Sequence, residues 1–195
     1  MTDLNLKQRF KLSRFIKGEK TAVKRIVLNQ RCIFILPTKR GLGFVVLISL
    51  LLLIAFVYNN NLAYLLAFLL ASIFFITILH TFKSLANLVL TVGQSQPVFS
   101  GESAGFEIIV ENLTKQARHN LQAHLQQKVD FSLSTQEKRR ITLYSETVKR
   151  GWQDISTVTL SSTYPLGLFR AWSPLHFSAK VLVYPKPNIV ELPFP

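Results

Sequence analysis

Four histidines, one cysteine and a serine-bearing turn are the residues whose types could do chemistry in this 195-residue chain. A metal site needs several ligands whose spacing lets them converge. His80, His119, His124 and His176 show no such spacing, and His119 and His124, at i and i+5, share no face of a helix or strand. Cys32 is alone, so it forms no disulfide within the chain and has no partner for a thiolate zinc site; it reads as a small hydrophobe. The stretch "GQSQP", Gly93 to Pro97, lacks the second glycine of a nucleophile elbow, and no acid or base partner can be assigned to its serine. "GLG", Gly41 to Gly43, leads into an apolar run with no strand expected before it, so a phosphate loop fails its context test. "NLT", Asn112 to Thr114, matches a glycosylation sequon, and the basic run Lys138, Arg139, Arg140 reads as a solvated edge. No catalytic, metal or cofactor-binding residue is expected, and the chain reads as a protein that is not an enzyme.

The elements that would position any site are set by hydropathy and charge. Composition is 49% hydrophobic with mean hydropathy +0.28, more apolar than a water-soluble domain requires. The apolar residues are concentrated in "GLGFVVLISLLLLIAFVYNNNLAYLLAFLLASIFFITIL", Gly41 to Leu79, which contains no charged residue. Asn59, Asn60 and Asn61 divide it into two runs, each about 27 Å long as a helix and close to the thickness of a hydrocarbon core. One unbroken helix would bury three asparagines at mid-membrane, whereas Asn favours a turn. Residues 41–79 are therefore expected to form a two-helix transmembrane hairpin.

Charge orients it. Residues 1–40 hold eleven Lys or Arg against Asp3 and Glu19, and Lys39 and Arg40 stand directly before the first span, whereas the Asn loop is uncharged. Cations stay on the cytoplasmic side, and a hairpin returns the chain to the side it left. Lys83, just after the second span, agrees, so both termini are expected in the cytoplasm. Residues 1–40 form a basic cytoplasmic segment in which Leu4, Phe10, Phe15 and Ile26 alternate with cations. Two roles fit it equally: contact along anionic headgroups, or a long positive flank. "CIFILPTKRG" is expected to be a short extended approach, since Pro37 disfavours helix at Leu36.

Beyond Leu79 the pattern changes to period two. "NLVLTVG", "GFEIIVEN", "NLQAHLQ", "RRITLYSETV", "DISTVTLSS", "GLFRAW" and "KVLVYPKP" read as seven short strands of an all-β antiparallel, immunoglobulin-like sandwich over residues 84–187. Phe106, Ile108 and Val110 share one face, as do Ser156, Val158 and Leu160. "PVFSGES" is expected as the turn joining the first two strands. "SSTYPLGLFRAW" is expected as a β-corner, Pro165 and Gly167 making the bend, Leu168, Phe169 and Trp172 packing around it, and Phe169 or Trp172 filling the sandwich core.

Taken in order, "ILPTKRGLGF", "NNNLAYLLAFLL", "PVFSGESAGFEIIVEN", "KRGWQDISTVTLSSTYPLGLFRAW" and "VLVYPKP" resemble the N-terminal half of the bacterial inner-membrane family termed domain of unknown function 58, over about Arg31 to Pro187. The resemblance implies an inner-membrane location, a partner of the MoxR-type AAA+ ATPase class, and a von Willebrand A-like domain after the sandwich. The motif block of that last domain does not follow "VYPKP". Residues 188–195 are accordingly expected to begin a linker to a missing domain, the sequence being a fragment, a truncated product or a short relative.

Two functions from different classes remain. The first is a non-catalytic membrane scaffold or adaptor whose partners are the anionic bilayer and a cytoplasmic protein, with no small-molecule substrate. The alternative is a membrane-tethered nucleic-acid binder, suggested by a net charge of +13. Topology already explains most of that charge, which favours the scaffold.

Overall fold

A computed structural model describes residues 25–29, 32–147, 149–155 and 157–186. Most of the basic segment, residues 1–24, together with Arg31, Ser156 and the expected linker 188–195, lies outside the described residues.

Two strands come before the helices: β1 (Arg25–Val27) and β2 (Phe34–Pro37). Helix α1 (Lys39–Tyr58) and helix α2 (Asn61–Leu85) follow. Thr38 begins α1 as its N-cap, accepting from the Gly41 amide at 3.2 Å. The three asparagines divide the labour of the reversal. Asn59 caps α1 in the left-handed conformation at φ 47, which Asn tolerates, and Asn60 caps α2 by accepting from the amides of Leu62 at 3.0 Å and Ala63 at 3.4 Å. Both helices are long and apolar enough to cross a membrane. Their large side chains point outward, Phe56 being 72% and Leu62 77% exposed. Small residues lie between them: Ala55 and Ala67 are fully buried, and the Phe44 ring stacks on Phe74 at 6.0 Å.

Antiparallel sheets make up most of the rest, in strands β3 (Leu88–Ser95), β4 (Val98–Phe99), β5 (Ser103–Asn112), β6 (Arg118–His124), β7 (Lys128–Leu133), β8 (Lys138–Glu146), β9 (Gly151–Asp154), β10 (Val158–Ser162), β11 (Phe169–Leu175) and β12 (Lys180–Tyr184). One sheet has the order β1-β3-β5-β8, a second β2-β11-β10-β6-β7, and a smaller third β4-β12-β9. Alternation decides the faces. Phe106, Ile108 and Val110 of β5 meet Leu121, Ala123 and Leu160 from the second sheet and Val181 and Val183 from the third in one buried cluster.

The structure differs from the expected layout in four places. Part of the segment ahead of the helices belongs to the β domain: Ile26 pairs with Leu90, and Ile35 with Ala171. The helix pair is thus an insertion between β2 and β3. Helix α2 runs six residues past Leu79, its last turns held by packing against strands. "PVFSGES" is more than a turn, because Val98 and Phe99 pair in parallel with Val183 and Tyr184. Strands β7 and β9, mostly outside the expected set, complete two sheets. The four residues of β9 carry too short an alternation to read, whereas Val129, Phe131 and Leu133 of β7 do alternate over six residues.

Candidate functional site

Several hydrogen-bonding side chains gather where the helices enter the β domain. Thr38 is the first of them. Besides capping α1, its hydroxyl donates to the carbonyl of Gly167 at 2.6 Å, and its own amide donates to the carbonyl of Leu168 at 2.9 Å. Gly41, one turn into α1, lies so close to the Leu168 carbonyl that a β carbon there would overlap it. The glycine is thus fixed by close approach of two backbones. On the other helix the Thr81 hydroxyl reaches the carbonyls of Thr77 at 2.8 Å and Tyr164 at 3.0 Å. Residues 163–168 are therefore wedged between the start of α1 and the end of α2.

An aromatic contact extends the junction upward along α2. Phe169 is buried, and its ring lies 4.8 Å from that of Phe74. The sandwich cluster does not include it; Ala171 and Leu175, further along the same strand face, do enter that cluster. Trp172, on the opposite face, is only half-buried and rests 5.0 Å from Phe34 of β2. So the expected corner residues divide. Gly167 has the positive φ, +69, that its turn needs. Pro165 is exposed and follows a cis peptide bond, Phe169 faces the helices, and Trp172 covers the outside of the sheet beside β2 rather than filling the core.

Arg118 closes the other side. It lies at the start of β6, is only 6% exposed, and donates to the carbonyl of Lys83, to that of Ala86 at 3.3 Å and to the Thr114 hydroxyl at 3.1 Å. The last carbonyls of a helix have no intrahelical donor and carry partial negative charge, which a cation satisfies. Burial pushes the Arg118 guanidinium below its ordinary value, and among the described residues no carboxylate pairs with it. Its counter-charge is the end of α2. Asn112, fully buried, braces this loop: its amide donates to Gln116 and Ser134 carbonyls, both at 2.8 Å, and its oxygen accepts from the Thr114 amide and hydroxyl. The apparent sequon is thus a structural asparagine with its hydrogen-bonding capacity used.

The remaining candidates stay apart. Lys39 and Arg40 are exposed in the first turn of α1 and Lys83 is exposed in the last turn of α2, all at the end of the pair away from the asparagines. A strand, β2, does precede Gly41 to Gly43, but the first of those glycines is taken up by Leu168. His119 stands 5.4 Å from the Tyr164 ring, and no group of three or more His, Cys, Asp or Glu able to hold a metal occurs among the described residues. Arg140 pairs with Glu107 at 3.5 Å on an exposed sheet face. On the third sheet, Trp152 is 70% exposed, and Phe99, itself exposed, lies 6.2 Å from Tyr184.

Sequence reasoning missed Thr38, Gly41, Thr81, Arg118 and Asn112. Only Thr38 had a usable signal, a capping residue immediately before a helical run. The others matter through contacts with distant residues. Comparison with known proteins returns no match, either to a protein-family model or to a curated protein.

Proposed function

We propose that the protein is a non-catalytic scaffold of the bacterial inner membrane. In this reading α1 and α2 cross the bilayer as a hairpin, both termini are cytoplasmic, and the immunoglobulin-like sandwich is held against the cytoplasmic face. One observation carries it: the helix pair is inserted between two strands of the β domain with hardly any linker. Thr38 alone separates β2 from α1, and Ala86 and Asn87 alone separate α2 from β3. Apolar side chains such as Phe56 and Phe68, 72% and 64% exposed, supply the surface that lipid would cover. A domain fixed in this way presents the same surface to the cytoplasm at all times, and tethering raises the local concentration of whatever binds it. The sequence resemblance supplies the partner class, a MoxR-type AAA+ ATPase, and the third sheet, with Phe99, Trp152 and Tyr184 exposed, offers it an apolar surface.

Reporter fusions test the arrangement. Those placed after Asn60 and after Pro195 should report opposite sides of the membrane, and an external C-terminus would remove the basis for a cytoplasmic partner. Binding of DNA by the detergent-purified protein that falls steeply with salt would favour the nucleic-acid reading instead.

A further inference from the structure

We propose that the corner 163–168 is a membrane-contacting foot, in which Tyr164 and Leu166 sit in the headgroup layer of an anionic bilayer beside Arg40. This rests on the transmembrane reading of the helices. It assigns the corner a lipid partner of its own, distinct from the spans.

Depth is the first ground. Phe44 stacks on Phe74, which sets the antiparallel level of the two helices, and Arg40 lies one turn nearer the N-terminus than Phe44. The Leu168 carbonyl abuts Gly41, and Thr38 holds the carbonyl of Gly167. The corner therefore stands level with the first turn of α1. Where α1 enters a bilayer, the corner enters beside it.

Chemistry is the second. Leu166 is 55% exposed and Tyr164 38%, with exposed Pro165 between them, whereas Ser161, Ser162, Leu168 and Phe169 on either side are all buried. Several polar groups of the corner backbone are already engaged. The Gly167 amide donates to Thr163 at 2.9 Å, and the carbonyls of Tyr164, Gly167 and Leu168 accept from Thr81 and Thr38. Each backbone group bonded within the protein lowers the cost of leaving water, and those left over can be met by the polar headgroups of the interfacial layer. A tyrosine and an aliphatic side chain flanked by an arginine is also the composition of the interfacial belt.

Charge is the third. The Arg40 guanidinium lies beside Gly167, 3.8 Å from where its β carbon would be. Lys39 and Arg40 occupy the positive end of the α1 dipole, where cations are disfavoured and no acidic residue offsets them. Anionic phosphates at that level would reverse the disadvantage. Leu36, 57% exposed on β2, pairs with Arg170 and continues the same mixture of apolar and basic groups along the free edge of the second sheet.

Spin labels report depth directly. The 195-residue protein carrying L166C in a Cys32→Ser background is reconstituted into phosphatidylethanolamine–phosphatidylglycerol vesicles, alongside Phe68→Cys on α2 and Trp152→Cys at an exposed position of β9. Relaxation by oxygen, which concentrates in lipid, is compared with relaxation by an aqueous nickel chelate. The ratio of oxygen to nickel effects at position 166 should exceed that at position 152 by about threefold or more, falling between the values at 152 and 68, as an interfacial residue requires. Leu166 is exposed, so the label should not disturb folding. As a second measurement, Leu166→Trp with both native tryptophans changed to phenylalanine should be quenched by lipids brominated near the headgroup end of the acyl chain. If position 68 reads as lipid and position 166 matches position 152, the corner stands in water and the proposal is overturned while the hairpin survives. A water-like value at position 68 would overturn the membrane reading and the foot together.

Discussion

The guanidinium of Arg118, from the start of β6, donates to the carbonyl of Lys83 in the last turn of α2. A strand residue thereby finishes a helix of twenty-five residues, and the end of α2 is fixed to the β domain rather than merely adjacent to it.

Removing that donor strands partly buried acceptors. Arg118→Ala should cost about 1–3 kcal/mol, because the partly buried carbonyls of Lys83 and Ala86 lose their charged donor. Arg118→Lys should recover only part, since one ammonium cannot reproduce the fork. Denaturant unfolding of the detergent-solubilised protein checks this, and an unchanged midpoint for the alanine variant would show that the clamp is dispensable.

Gly41→Ala and Gly43→Ala should behave oppositely despite lying two residues apart. The first methyl group would meet the Leu168 backbone, whereas nothing lies within 4 Å of the second. Limited proteolysis should therefore cut within residues 163–168 faster in Gly41→Ala and at the ordinary rate in Gly43→Ala. Equal resistance in both would mean that the corner and α1 separate freely.

Truncating the two large aromatics of β11 should give unequal losses. Phe169 is buried against Phe74, so Phe169→Ala should cost about 3–5 kcal/mol. Trp172 is half-buried on the other face, so Trp172→Ala should cost about 1–2 kcal/mol, mostly lost contact with Phe34. Gly167→Val forces a β-branched residue to φ +69 and should weaken the corner without touching either aromatic. Thermal unfolding of the three variants ranks them, and a larger loss for Trp172→Ala than for Phe169→Ala would refute the assignment of faces.

Glu137 gives a small acid-side effect. Its carboxylate accepts from the Ser134 amide at 2.6 Å, which holds its carboxyl below the ordinary value. A depressed carboxyl contributes stability above its unfolded pKa, about 4.3, and loses it as pH falls through the lower folded value. Glu137→Gln should thus differ from the parent at neutral pH and converge with it in strong acid. Two melting curves that stay parallel down to that range would discount the hydrogen bond.

Much of the molecule was legible along the chain because its signals are local. An uncharged run long enough to span a bilayer, broken by Asn59 to Asn61, can hardly be anything other than two helices, and the alternation of Phe106, Ile108 and Val110 puts one strand face in a core whatever its neighbours are. Gly167 carried its own signal too, since a turn needing positive φ favours glycine. What the chain alone could not disclose is how these pieces join. Four residues, Phe34 to Pro37, have too little alternation to declare a strand, and their partner lies more than a hundred residues away on β11; only the closing of the second sheet makes β2, and with it the insertion of the helices into the β domain. Arg118 reads as one cation among many, and Thr81 as one small residue in an apolar helix. Their roles arise from the carbonyls that the fold brings to them, because a hydrogen bond between distant residues has no trace in the spacing of either one.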